Sequence, residues 1–339
     1  MKKVFLGPLD LGLNQVFKEE MSKVGYDVTT CSFVEHKNYG WKDDINLRIN
    51  KTNIVFASFR VLKNFFNCLD YDIYHFKFGH SLLPFNLDLP ILKMKGKKIV
   101  MNFHGLDVRQ LDRYQKDPFN KMLVDKLGYS KFKEWKKRFR LLFLKLFIDK
   151  FAVSTPDLLQ FVTRAEFMPE MAPLERVMVE KKLENKKTGV TTVLHAPSHR
   201  GIKGTEYILS AVNRLVEEGE PIELLLAENV PAKEMGDYYQ KADLVVDQLL
   251  IGSYGVVSIE GMLAGKPVVC YLREDLLEYY PKDIPVVNAN PETIYDVLKG
   301  LVREPLKLFQ LGNKSFKYVS EFHSPEGLAK KWADLYKKL

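Results

Sequence analysis

The sequence predicts an α/β protein with two Rossmann-like domains, each built on a covered parallel sheet. Three observations carry this. Short apolar runs alternate with helix-length amphipathic segments along the chain, the pattern of parallel strands joined by crossover helices. The length of 339 residues, with 46% hydrophobic content, suits two ordinary domains and two packed cores. A polar, lysine-rich stretch without periodicity, residues 179–189, separates the two series and reads as a linker.

Lys3-Val4-Phe5-Leu6 reads as a buried first strand rather than a signal peptide. A glycine loop to Asn14 follows, then a helix with Val16, Phe17, Met21 and Val24 on one face. Without a G-x-G-x-x-G, a dinucleotide reading is weak. Gly12 and Asn14 are candidate ligand contacts in this loop, with an ordinary βα turn as the alternative. Residues 27–31, 53–56, 72–76 and 97–103 read as further strands, with a helix containing Leu89, Leu92 and Met94 before the last. That strand runs into His104-Gly105-Leu106-Asp107-Val108-Arg109. Ligands of open α/β sheets sit off the carboxyl ends of strands, which makes His104 a candidate; a purely structural histidine is the other reading.

Charge is divided unevenly. Through Ala172 there are 29 basic and 19 acidic residues, against 22 and 24 in the remainder. A basic first half suits nucleic acid, anionic lipid or an anionic acceptor, or else a surface that only meets solvent. Residues 131–150 hold eight basic and two acidic residues, with Phe132, Trp135, Phe139, Leu142 and Leu146 at helical spacing. Such a helix can lie in a membrane surface, with Lys136, Lys137, Arg138 and Arg140 meeting phosphates, or pack its apolar face on the sheet. Ser154-Thr155-Pro156-Asp157 reads as the cap of a following helix. No apolar run is long enough to span a membrane. The three cysteines lack metal-ligand spacing, which points to a reducing cytoplasm.

In the second half, residues 191–197 form a strand, followed by Ser198-His199-Arg200-Gly201-Ile202-Lys203-Gly204-Thr205 and a helix. Two cations three residues apart, in a glycine-containing loop before a helix, are the makings of a diphosphate clamp. Residues 244–246 then read as a buried strand, and Gly252 to Gly255 as a loop where backbone can approach a ligand. A helix from about Val256 aims its free N–H groups at that loop. Glu260, one turn in, can reach a sugar or ribose hydroxyl. Gly265 ends the helix and Pro267 opens the next strand.

This stretch resembles the nucleotide-sugar motif of family 4 glycosyltransferases: Glu-Gly-Phe-Gly, four residues, then Glu-Ala-Met-Ala-x-Gly-x-Pro-Val-Val. Gly252-Ser253-Tyr254-Gly255 stands for the first block and Glu260-Gly261-Met262-Leu263-Ala264-Gly265-Lys266-Pro267-Val268-Val269 for the second. The first Glu of the family pair falls on Gly252, so its role is absent or supplied elsewhere. The order strand, His-Gly-x-Asp, the Ser-Thr-Pro-Asp-Leu-Leu run and the Arg200…Lys203-Gly204 loop resemble the family as well.

The resemblance implies the GT-B fold: two Rossmann-like domains facing a cleft, with a terminal helix crossing back to the first. The domains would be 1–173 for the acceptor, 187–322 for the nucleotide sugar and 323–339 for the returning helix. It implies a retaining transferase with a UDP- or GDP-linked sugar and no cofactor or metal. His104 would contact the donor sugar or leaving group, with Gly12 and Asn14 beside it. Arg200, Lys203, Ser253, Tyr254, Gly255 and Val256 would hold the donor, and Glu260 its ribose. The acceptor would be a glycan or lipid-linked molecule in polysaccharide or glycoconjugate synthesis, the setting cytoplasmic or peripheral on the inner membrane face, and no nucleic acid is expected. The alternatives are a catalytically weak sugar-nucleotide binder and a nucleotide-sugar epimerase of the same fold.

Overall fold

The computed structural model describes residues 1–8, 12–33, 43–47, 61–63, 65–114, 117–128, 130–173, 177 and 189–339. The strand expected at 53–56 and nearly all of the 179–189 stretch lie outside the described residues.

The elements run in order as follows. β1 (Lys2–Gly7), α1 (Asn14–Lys23), β2 (Tyr26–Ser32), β3 (Ile45–Asn46) and β4 (Ile73–Lys77) open the chain. Then come α2 (Asp88–Met94), β5 (Lys98–Phe103), α3 (Pro118–Leu127), α4 (Lys131–Leu144), β6 (Lys150–Val153) and β7 (Glu166–Phe167). β8 (Thr191–His195), the single turn α5 (Arg200–Lys203), α6 (Thr205–Glu217), β9 (Ile222–Leu226), α7 (Met235–Lys241) and β10 (Leu244–Val246) follow. The chain finishes with α8 (Val256–Leu263), β11 (Val268–Cys270), β12 (Val287–Asn288), α9 (Ile294–Val302), α10 (Pro305–Phe322) and α11 (Pro325–Lys337).

Two compact units form. The first gathers Met1–Gln110, Ser130–Met171 and Pro325–Leu339. Its seven-stranded sheet has the order β3-β2-β1-β4-β5-β6-β7, and its neighbouring strands pair in parallel. Val4, Leu6 and Val100 from the strands meet Phe17 and Met21 of α1 and Leu328, Trp332 and Tyr336 of α11 in one core. Burying each large apolar side chain is worth roughly 1.5–3 kcal/mol, so α11 is integral to this unit. Ser154 to Asp157 begins a short 3-10 helix, Pro156–Gln160, rather than a capped α-helix; no side chain caps it. Asp157 is instead buried and bound to Arg109 at 2.8 Å.

The second unit gathers Leu111–Tyr129 and Ala172–Ser324. Its five strands take the order β12-β11-β10-β8-β9, again parallel. Val193, Leu244, Val246 and Val269 pack against Ile208 and Leu215 of α6 and Leu298 of α9. Chain direction around the sheet reverses between β1 and β4 in the first unit and between β8 and β10 in the second. The crevice outside the carboxyl ends at such a switch point is where open α/β sheets bind ligands.

Candidate functional site

In the second unit the switch point lies between the loop after β8 and the loop after β10, which carry the residues singled out from sequence. α5 brings Arg200 to the surface, and the αL conformation of Gly204 (φ +77°) turns the chain directly into α6. The Arg200 guanidinium donates to both oxygens of Glu228, each at 2.8 Å, and to Glu206 at 3.1 Å. These carboxylates raise its pKa further above an already high value. Lys203 is buried, and its ammonium donates to Asp247 Oδ1 and Gln248 Oε1, both at 2.7 Å.

Asp247 is the residue that sequence reading passed over. It follows β10, is 1% exposed, and collects three donors: Lys203, the Gly255 N–H at 2.9 Å and the Ser258 hydroxyl at 2.8 Å. Burial pushes its carboxyl up, but Lys203 and these hydrogen bonds outweigh that and hold it below the usual range. The start of α8 thus already faces one negative charge. Gly255, Val256 and Val257 are the partly exposed part of the loop, and the N–H groups of Val256 and Val257 have no partner among the described residues.

Ser253 and Tyr254, two of the expected donor contacts, have buried side chains. The Ser253 and Tyr254 side chains do not line an open loop: they are 0% and 4% exposed. The Tyr254 hydroxyl pairs with Tyr318 at 3.1 Å and His323 at 2.7 Å, and its ring stacks on Tyr280, because its apolar area is better placed inside the unit. Glu260 is buried as well, with the Tyr239 hydroxyl donating to it at 2.8 Å. Gly252 explains its own departure from the motif. It stands at φ +87°, and a Cβ there would come within 2.5 Å of Arg273 Cγ and Cδ. Arg273 is fixed by Asp275 and by Asn120 of α3. Asn120 also donates to the carbonyls of Leu250 (2.6 Å) and Ile251 (3.1 Å), so α3 latches this loop.

In the first unit the switch point gathers a second polar group. Gly12 stands at φ +75° before α1. Asn14, at the start of α1, accepts from the Lys77 ammonium at 2.7 Å; both side chains are buried. Leu13, His75, Lys77, Asn102 and Glu170 line a small cavity there. His104 follows β5. Its Nδ1 lies 2.6 Å from Glu170 Oε1, and its ring stacks on Phe78 at 4.4 Å. Asp107 accepts from the His104 and Gly105 N–H groups at 3.1 and 2.6 Å and so fixes the loop.

Three of the expected basic contacts on α4 are engaged within the first unit. Lys137, Arg138 and Arg140 do not form a free basic face: Lys137 donates to the Arg109 carbonyl and Glu134, Arg138 to Gln110, and Arg140 to the Asp107 carbonyl. These long side chains donate to groups of the loop after β5. Of the four expected contacts, Lys136 alone is exposed, over the Phe132 ring at 4.3 Å. The apolar stripe faces outward instead: Phe132, Trp135, Phe139, Leu142 and Leu146 are 58–74% exposed, flanked by exposed Lys131, Lys133 and Lys145.

The paired parallel sheets define the GT-B fold. Structural comparison agrees over the whole chain. The chain is similar to Anabaena HepE crystallised with UDP and glucose (TM-score 0.66, 11% identity, 100% of both chains covered). It is similar to sucrose-phosphate synthase from Thermosynechococcus elongatus (TM-score 0.65, 14% identity, 100% of this chain and 99% of that one). It also resembles a UDP-N-acetylglucosamine 2-epimerase-like protein from Listeria monocytogenes (TM-score 0.57, 14% identity, 99% and 95%). No protein-family profile and no curated protein sequence matches the chain.

Proposed function

We propose that this protein is a retaining GT-B glycosyltransferase that moves a hexose from a UDP- or GDP-linked donor to a glycan or lipid-linked acceptor in polysaccharide or glycoconjugate synthesis. The observation that carries the reading is the loop of Arg200 and Lys203 at the switch point of the second sheet, where Lys203 is joined through Asp247 to the partly exposed start of α8. HepE, which shares the fold, was crystallised with UDP and glucose.

A diphosphate arriving at this loop competes with Glu228 and Glu206 for Arg200 and meets the Val256 and Val257 N–H groups. Negative charge growing on the leaving diphosphate is stabilised by these preset donors. Lys203, locked to Asp247, holds the loop after β8 to the start of α8. A ribose hydroxyl would donate to the Glu260 carboxylate beside Tyr239. Gly12, Asn14 and His104, at the switch point of the first unit, would contact a sugar. The reading needs no metal, and activity is expected to persist in EDTA. Among the described residues, no three His, Cys, Asp or Glu side chains come together as metal ligands.

The exposed aromatic stripe of α4, with Lys131, Lys133, Lys136 and Lys145 beside it, supports a peripheral place on an anionic membrane, where a lipid-linked acceptor would be found. Among the described residues no helix is long and apolar enough to cross a membrane. The epimerase likeness favours a second reading, isomerisation of the nucleotide sugar itself. The two separate by product: incubate the protein with UDP- and GDP-sugars and follow released nucleotide and sugar identity. Free nucleotide with a new glycoside supports transfer, an isomerised nucleotide sugar supports the epimerase, and neither product with tight UDP binding supports a binding protein.

A further inference from the structure

His104 is held from two sides by carboxylates. Asp107 fixes its backbone N–H, and Glu170 takes its side chain at Nδ1, 2.6 Å away. The His104 side chain is 3% exposed and that of Glu170 16%, so water is largely kept from the bond. A carboxylate accepts and does not donate, so the proton of this hydrogen bond sits on Nδ1. In the neutral imidazole, Nε2 is then a bare lone pair. That nitrogen is buried and has no partner among the described residues. The imidazole stacks on Phe78, with 28° between the rings.

The chain provides its own contrast. His195, also buried, satisfies both nitrogens: Nδ1 pairs with the Val246 carbonyl and Nε2 with the Thr205 hydroxyl, both at 2.8 Å. His75 has an open Nε2 too, but its Nδ1 partner is the Tyr336 hydroxyl, which can donate or accept and so fixes no tautomer. His104 alone of these three couples a tautomer-fixing carboxylate to an unfilled acceptor. Buried polar atoms are normally paired, and an orphan at the carboxyl edge of a parallel strand is placed to receive a ligand.

We propose that Glu170 is a positioning residue: it locks His104 in the Nδ1–H form, so that Nε2 accepts a hydrogen bond from a sugar hydroxyl. The consequence is specific. Nε2 in this form recognises a donor group and repels a phosphate oxygen, so His104 meets a sugar rather than the leaving diphosphate. The sugar half of the inference rests on the glycosyl-transfer reading; the tautomer half does not.

The imidazole nitrogens of His104 are read by 15N NMR at alkaline pH, assigned by their loss in His104→Asn. Wild type is expected to show protonated Nδ1 and bare Nε2. Glu170→Ala should bring in the Nε2–H form, and Glu170→Asp, which keeps an acceptor-only carboxylate, should hold more of the Nδ1–H form. A protonated Nε2 in wild type, or an unchanged tautomer in folded Glu170→Ala, overturns the assignment whatever the activity proves to be. Saturating UDP-glucose and methyl glucoside serve as donor-side and acceptor-side probes. The Nε2 signal should move with whichever carries the hydroxyl and stay put with UDP alone; indifference to both sugars overturns the recognition half. Where turnover is measurable, Glu170→Ala should lower kcat roughly tenfold to a hundredfold, the range seen when an orienting partner of a histidine is removed. Glu170→Asp should recover part of that loss, and equal losses in the Ala and Asp variants would contradict a tautomer role.

Discussion

The ammonium of Lys203 lies 2.7 Å from the carboxylate of Asp247, and the pair closes the space between the loop after β8 and the start of α8. Asp247 also holds the Gly255 N–H and the Ser258 hydroxyl, so one buried charge joins two loops and a helix. A residue expected from sequence to act only on a ligand is therefore a structural member of its unit.

Lys203 and Arg200 should separate in stability experiments. Lys203→Met leaves the Asp247 carboxylate buried without its cation, and breaking a buried pair from one side costs about 3–5 kcal/mol. Arg200→Ala removes a half-exposed ion pair, and its urea midpoint should match wild type. Arg200→Ala should nonetheless weaken UDP binding by about tenfold or more, since a charge-assisted contact is lost. Calorimetry showing unchanged UDP affinity in that variant would remove Arg200 from the donor site.

Restoring the motif's first Glu should harm the protein. Gly252→Glu places a side chain at φ +87° and against Arg273. The left-handed backbone alone costs about 1–2 kcal/mol for a non-glycine residue. Gly252→Ala should show most of this loss, and Arg273→Ala in the same chain should return part of it by clearing the clash. A Gly252→Glu variant as stable as wild type would show that the loop adapts freely.

Stability should fall with mild acid. Burial lowers the His195 pKa from an ordinary 6.5 to about 4, against an opposing hydrogen bond to the Val246 carbonyl. The unfolded chain binds this proton first, so stability is fully present above pH 6.5 and is lost as pH falls toward 4. The shift corresponds to about 3 kcal/mol. Burial shifts His75 in the same direction, so the slope from the whole chain is steeper than one proton. His195→Gln should flatten the slope of unfolding free energy between those pH values; an unaltered slope would mean that His195 is protonated alike in both states.

The outward stripe of α4 should bind anionic vesicles. Changing Lys131, Lys133, Lys136 and Lys145 to Gln removes charges worth about 1 kcal/mol each near such a surface. Flotation with phosphatidylglycerol should drop, and Trp135→Ala with Phe139→Ala should lower it independently of salt. Changing Lys137, Arg138 and Arg140 should instead loosen the fold, because these side chains hold loop carbonyls and Gln110. Negligible flotation of wild type on both phosphatidylglycerol and phosphatidylcholine would leave the stripe without a membrane partner.

The sequence by itself determined the strand and helix alternation, the class of sheet, and the loops at which Arg200, Lys203, His104 and Gly255 stand. Those features depend on local periodicity, on glycine and on charge within a few residues, all visible along the chain. Tertiary structure alone decided the partners. Glu170 reaches His104 across 66 residues, Asn120 reaches Leu250 across 130, and α3 therefore joins the second unit although it lies within the first half of the sequence. The same limit governs α4: its period placed Trp135 and Phe139 on one stripe, but helical spacing has no sign for inside and outside. The burial of Glu134, Leu141 and Leu144 on the opposite face turned that stripe to the surface.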